Sequence, residues 1–262
     1  MMIGCQMVAF AAELPESLYW ALEKVAAMGF LGVEVGARFV DEPSRFAEFI
    51  KGVHLDIAGL HTGADLWNSA VLKSSQNSFV QVAKLAEDLN CPRIILSGMG
   101  PQDRKLSDEG LRVQAEVLNK LGVIASEHGA KVLYHNHGWE FMDDERVIGS
   151  IVEFTDPAAV GLAVDLGWAE HAGRDPVEVM GKYQERIEHI HIRDLRHDKF
   201  VELGNGKTDL NKIIRKVSEI GYSGWLIVEM EPHAPSYGGS LEPAESIAVG
   251  YGFLQGILHK RS

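Results

Sequence analysis

The sequence of 262 residues has two cysteines, Cys5 and Cys91, each inside an apolar segment. No disulfide framework can be built on them, and a chain this long can bury a core without one. Both are expected to be reduced, buried thiols. Long apolar runs are missing as well. The apolar start, residues 1–12, is too short to span a bilayer and lacks the basic opening and small-residue cleavage site of a secretory leader, so a cytoplasmic protein is expected. Positive charge is scarce: 25 Lys and Arg stand against 37 Asp and Glu, a net charge of −12 that opposes binding to nucleic acid or to an anionic membrane. A small-molecule partner is favoured. No Pro/Ser-rich linker or low-complexity tract divides the chain, and no Gly-x-Gly-x-x-Gly turn follows the first apolar run, which counts against a dinucleotide-binding open sheet.

What is present is alternation. Short apolar runs at residues 3–10, 31–36, 56–61, 93–97, 131–135, 160–165, 187–192 and 225–229 are separated by segments of helical period. The first of those segments is marked by Pro15 and Glu16, by Leu18, Ala21, Leu22 and Val25 at helical spacing, and by a stop at Gly29. Further helices are expected at 43–51, 77–89, 107–128, 148–154, 176–183, 210–220 and 242–258, with a loop after the seventh run. Eight βα units in this length predict one domain, residues 1–262, folded as a closed (β/α)8 TIM barrel.

A barrel of this kind carries its active site at the C-terminal ends of the strands, so the residues that end the runs are the informative ones. Glu34 ends the second run and His61 the third; His135 and His137 end the fifth, with Glu140 just beyond; Asp165, His191 and Glu229 end the sixth, seventh and eighth. Several carboxylates at one rim repel unless a cation lies among them. Oxygen ligands with imidazole suit one divalent metal ion, Mn, Mg or Co, with Zn also admissible. Taken singly, Asp165 could as well cap the turn that follows it and His191 could bond a backbone carbonyl. His189, His191 and Arg193 alternate and so share a face.

Gly29-Phe30-Leu31-Gly32-Val33-Glu34, Leu60-His61, Tyr134-His135-Asn136-His137-Gly138-Trp139-Glu140-Phe141, Val164-Asp165-Leu166-Gly167-Trp168, His189-Ile190-His191-Ile192-Arg193-Asp194, Gly204-Asn205-Gly206 and Gly221-Tyr222-Ser223-Gly224-Trp225 recur in order along nearly the whole chain. Together they resemble the xylose isomerase-like TIM barrels, a family of sugar phosphate isomerase/epimerases, ketose epimerases and inosose dehydratases with endonuclease IV as a distant relative. The resemblance implies a metal held by Asp165, His191, Glu229 and a ligand from the fifth strand, for which Glu140 is the expected residue and His135 the alternative. It implies Glu140 and Glu229 as catalytic acid and base, and His61, His137, Arg193, Trp168 and Glu34 as substrate contacts. The expected activity is a sugar isomerase or epimerase working through an enediolate on a small ketose, keto-inositol or sugar phosphate; the alternative is a lyase of the inosose dehydratase or keto-glycoside-cleaving type. Arg193 and the Gly204–Lys207 loop are candidates to grip a phosphate. Trp168, where relatives with several zinc ions have a histidine, counts against nuclease chemistry. Barrels of this kind often pair, so a homodimer is expected.

Overall fold

A computed structural model describes residues 1–11, 17–67, 72–100 and 106–259. Eight parallel strands close into a barrel: β1 (Met2–Gln6), β2 (Gly32–Gly36), β3 (Asp56–Ala64), β4 (Arg93–Gly98), β5 (Lys131–His135), β6 (Val160–Asp165), β7 (Ile187–Ile192) and β10 (Trp225–Val228), in the order β1-β10-β7-β6-β5-β4-β3-β2. Strands β8 (Asp194–Arg196) and β9 (Lys199–Val201) form an antiparallel hairpin where a loop was expected. Helices α1 (Leu18–Met28), α2 (Pro43–Gly52), α3 (Leu72–Asp88), α4 (Asp108–Glu127), α5 (Met142–Phe154), α6 (Leu166–His171), α7 (Pro176–Tyr183), α8 (Leu210–Glu219) and α9 (Pro243–His259) lie between and after the strands. The helix start expected at Pro15 and Glu16 lies outside the described residues, as do residues 68–71. Among the described residues no helix is long and apolar enough to cross a membrane.

Local chemistry sets the element ends. Gly29 stops α1 at φ 96°, a left-handed conformation that costs little only for glycine. Ser107 accepts from Gly110 N at 3.0 Å to cap α4, and Asp175 caps α7 ahead of Pro176 at its first turn. The first run does not remain extended to Phe10: Gln6 Oε1 accepts from Val8 N at 3.1 Å and turns Met7–Phe10 into a 3-10 helix.

Period-two alternation sorts the strand residues. Val33, Val35, Ile94, Leu96, Val132, Tyr134, Val164, Ile190, Ile192, Leu226 and Val228 belong to the main core cluster packed under the helices, and all are buried. The barrel interior is small. Trp225, Ile227 and Ala58 form one cluster inside it and Ile95, Leu133 and Ala163 another. Trp225 fits because its neighbours have no side chain: a Cβ on Gly32 would lie 2.5 Å from its ring. Above these apolar layers the register sets Gln6 beside Glu34, Ser97 beside His135 and Asp165 beside His191. The polar ends of the strands therefore meet at one mouth. The strand pairings slip by one residue between Val33 and Glu34 and between Leu162 and Ala163, bulges that lie just below this layer.

Candidate active site

Four side chains from four neighbouring strands converge at the mouth. His135, Asp165, His191 and Glu229 are all buried, and one ligand atom from each lies within 4.8 Å of the others. His135 Nε2 points between Asp165 Oδ2 at 3.7 Å and Glu229 Oε2 at 3.6 Å and has no hydrogen-bond partner. Glu229 follows directly on β10, so the strand's own direction delivers it.

Beneath this group sits Glu34. It accepts from Gln6 Nε2 at 2.6 Å and pairs with His61 Nδ1 at 2.7 Å through one oxygen, and with His189 Nε2 and His191 Nε2, both at 2.9 Å, through the other. Burial alone would raise the Glu34 carboxyl, but the charge of His191 and the hydrogen bonds from His189, His191 and His61 hold it well below the usual carboxylate range. His191 is pinned from both sides: Nε2 faces Glu34 and Nδ1 faces Glu229 in a very short contact. Burial would lower its pKa; the two carboxylates overcome that and raise it to about 10. For His189 burial wins, and its pKa falls to about 4 despite the bond to Glu34.

Arg193 supplies the remaining positive charge. It is fully buried, with Nε 2.7 Å from Asp165 Oδ2 and Nη2 2.6 Å from Glu229 Oε1 and 2.8 Å from Glu231 Oε1. Although burial would raise Asp165, Arg193 and His135 lower it, and Glu229 is likewise held well below its ordinary range by Arg193 and His191.

These residues fit a divalent cation. The donor set is two imidazoles and two carboxylates, and a buried imidazole nitrogen with no partner faces two carboxylate oxygens, an arrangement that a cation among them satisfies. The nitrogen of His191 that faces Glu229 would be its ligand atom, since the other is held by Glu34 as a carboxylate commonly holds a metal-binding histidine.

The expected fifth-strand ligand, Glu140, is not brought to the cluster. Tyr134 alternates with His135 and so faces out of the barrel; its hydroxyl donates to Glu140 Oε1 at 2.9 Å, while His137 N donates to Oε2 at 2.8 Å. Glu140 thus closes a capping box on the short 3-10 helix Gly138–Phe141, and His135 is the residue of the fifth strand that joins the cluster. Glu140, expected also to share acid–base work with Glu229, is thus held by Tyr134 and His137 outside the cluster of His135, Asp165, His191 and Glu229. Glu34, expected as a substrate contact, lies fully buried below the histidines. His61, His137, Glu229 and Glu231 line a cavity of about 340 Å³ over the cluster, with Gln6, Ser97 and Arg38. Trp168 lies to one side, its backbone N–H donating to Asp165 Oδ1 at 2.9 Å; Asp165 therefore caps α6 with one oxygen and faces the cluster with the other. Arg193 reaches three carboxylates through Nε and Nη2, while its buried Nη1 has no hydrogen-bond partner. The Gly204–Lys207 loop is no phosphate cradle either: Gly204 N, Gly206 N and Thr208 N donate to the Asp194 carboxylate.

Gln6, Ser97 and Glu231 escaped the sequence reading, and His189 was read only as sharing a face with His191 and Arg193. Ser97 was visible as the polar end of the fourth run; Gln6 was hidden because the first run seemed to continue to Phe10.

Residues 22–255 match the family model of the xylose isomerase-like TIM barrel. The chain belongs to this family. Among curated relatives, inosose dehydratase of Geobacillus kaustophilus is 27% identical over 242 residues, covering 80% of this chain and 79% of the relative. Two solved structures share the fold: a sugar phosphate isomerase/epimerase from Parabacteroides distasonis (19% identity, TM-score 0.81, 97% of this chain and 98% of that one) and the IolI protein with a bound zinc atom (18%, TM-score 0.79, 100% and 99%).

Proposed function

We propose that this xylose isomerase-like barrel is a metal-dependent lyase that eliminates water from a small cyclic keto-polyol of the inosose class. The observation that carries the reading is the convergence of His135, Asp165, His191 and Glu229 at the barrel mouth, beneath a cavity lined by polar side chains. The kinship with inosose dehydratases over four-fifths of the chain favours elimination over isomerisation or epimerisation, which would share the same first proton transfer.

The metal, held by those four residues, would supply a Lewis acid that polarises the substrate carbonyl and stabilises the enolate. The rest falls to the protein. His61 is placed to move a proton: with Nδ1–H directed at Glu34, its Nε2 is the acceptor and faces Ser97 Oγ at 2.8 Å at the edge of the cavity. His137, which also lines the cavity, is the second imidazole available, for protonating the departing hydroxyl. Glu34 fixes the tautomer of His61 and the orientation of His191 at once, and so acts as a positioning residue. Arg193 neutralises Asp165 and Glu229 from behind, away from the cavity.

The test is metal analysis of the purified protein beside His191→Ala and Glu229→Gln, followed by incubation of the metal-loaded protein with a keto-inositol in D2O. About one metal ion per chain, lost in both variants, with loss of one water from the product by mass spectrometry, is the expected result. Deuterium incorporation without loss of water would reassign the chain as an epimerase or isomerase. A native chain that takes up none of Mn, Mg, Co or Zn would remove the reading altogether.

A further inference from the structure

Four successive strands, β2 to β5, each send one polar side chain to the barrel mouth: Glu34, His61, Ser97 and His135. They form a single hydrogen-bonded chain. His61 Nδ1 lies 2.7 Å from Glu34 Oε1, His61 Nε2 lies 2.8 Å from Ser97 Oγ, and Ser97 Oγ lies 3.3 Å from His135 Nδ1. Register brings the upper two together, since Ser97 and His135 are direct partners across β4 and β5. Ser97 is half-buried and stands in the wall of the cavity over the cluster.

The hydrogens along this chain follow from its lower end. Glu34, as a carboxylate, only accepts, and two lone pairs cannot face each other at 2.7 Å, so His61 Nδ1 carries the ring proton. Gln6 Nε2, 3.0 Å from the same nitrogen, donates to the same carboxylate oxygen at 2.6 Å, and its Oε1 accepts from Val8 N, so Gln6 offers His61 no acceptor. His61 Nε2 is then bare and takes the single hydrogen of the Ser97 hydroxyl. With that hydrogen committed, Ser97 Oγ can only accept from His135, and His135 Nδ1 must donate. A neutral imidazole carries one N–H. His135 Nε2 is therefore bare, and it is this buried nitrogen that points between Asp165 and Glu229 with no hydrogen-bond partner.

Glu34 sets His191 without intermediaries: it faces Nε2 at 2.9 Å and leaves Nδ1 turned to Glu229. The two imidazoles of the cluster thus answer to one carboxylate, His191 directly and His135 through His61 and Ser97. Without the Ser97 hydroxyl, His135 Nδ1 would open on the cavity, and the ring could carry its proton on Nε2, between the carboxylates where a cation belongs.

We propose that Ser97 is the positioning residue of His135: its hydroxyl accepts from Nδ1 and so holds the ring with Nε2 free for a divalent cation. The inference rests on the lyase reading above only for the presence of that cation. In calorimetric titration of the metal-free protein with Co²⁺ alone, Ser97→Ala should bind about 10- to 100-fold more weakly than the native chain, and Ser97→Thr, which keeps the hydroxyl, within about threefold of it. Proton NMR of the Co²⁺-loaded protein reads the hydrogen bond itself, because a cobalt-bound imidazole whose other N–H is held by an acceptor gives a paramagnetically shifted resonance that vanishes in D2O. The native chain should give two such resonances, from His135 and His191. Ser97→Ala should keep one, since His135 Nδ1–H then exchanges with solvent in the cavity while His191 stays on buried Glu34. Native affinity in Ser97→Ala, or both resonances in that variant, overturns the proposal. If the affinity and the resonance are lost as expected while a keto-inositol keeps all its water on the native protein, Ser97 stands and the lyase reading falls. If water is lost and Ser97→Ala binds Co²⁺ as the native chain does, the lyase reading stands and Ser97 falls; a native chain that takes up no cation removes both.

Discussion

Replacing Glu34 by glutamine should destabilise the protein severely although the two side chains are the same size. No cavity is created, so the effect isolates charge and hydrogen bonding. One carboxylate oxygen faces the Gln6 amide and His61, the other faces His189 and His191. Whichever way the new amide turns, its NH2 confronts two ring or amide nitrogens that now donate. Two charge-assisted hydrogen bonds are lost, each contributing about 1.5–3 kcal/mol, with part regained as a histidine changes tautomer. His191 also keeps only one of its two counter-charges. The net expectation is a loss of about 3–4 kcal/mol, in the range for breaking a buried ion pair. In urea, with a slope of about 3 kcal/mol per molar for a chain of this size, the unfolding midpoint should fall by about 1 M. Because Glu34 orients the ring of His191, metal affinity should fall roughly 10- to 100-fold in the same variant. A midpoint shift under about 0.3 M with native metal affinity would mean that the Glu34 network does not hold the barrel mouth together.

Three further changes probe other parts of the same account. Glu140→Gln should leave metal content unchanged by elemental analysis while costing about 1–2 kcal/mol, because it weakens only the cap with Tyr134 and His137; metal loss would return Glu140 to the ligand set. Arg193→Met should cost the metal-free protein about 3–5 kcal/mol by leaving Asp165 and Glu229 uncompensated, and Mn²⁺ should raise its melting temperature more than it raises that of the native chain, since the cation then replaces the lost guanidinium. An equal shift in both would show that Arg193 and the metal do not share those carboxylates. Glu202 makes the pH prediction. Burial would raise it, yet N–H groups of Ser240 and Leu241 and the amide of Asn205 lower it from 4.5 to about 2, and Tyr237 donates to it as well. A carboxyl lowered on folding contributes stability that is complete above its ordinary value and is lost as pH falls towards 2, here about 3 kcal/mol. Urea unfolding between pH 5 and 2.5 should show that slope in the native chain and a flatter one in Glu202→Gln; parallel slopes would clear Glu202 of the effect.

Sequence by itself determined the barrel, because a strand buried on one side by helices and on the other by its neighbours must read as a short apolar run, and eight such runs with helical spacers leave little else to build. It also determined that Asp165, His191 and Glu229 lie at one rim, since each ends its run and all parallel strands of a barrel end on the same side. The hairpin of β8 and β9 was hidden because its strands are three residues each, too short for alternation to register. Only the tertiary structure decided which fifth-strand residue faces the cluster. His135 and Glu140 are equally good ligands on paper. The choice depends on Tyr134, whose outward hydroxyl captures Glu140 across the wall of the barrel, and on Asp165 and Glu229 arriving from β6 and β10 on the inner side. Glu34 shows the same limit: its four partners come from β1, β3 and β7, up to 157 residues away in the chain, and no local pattern records contacts that exist only once the barrel has closed.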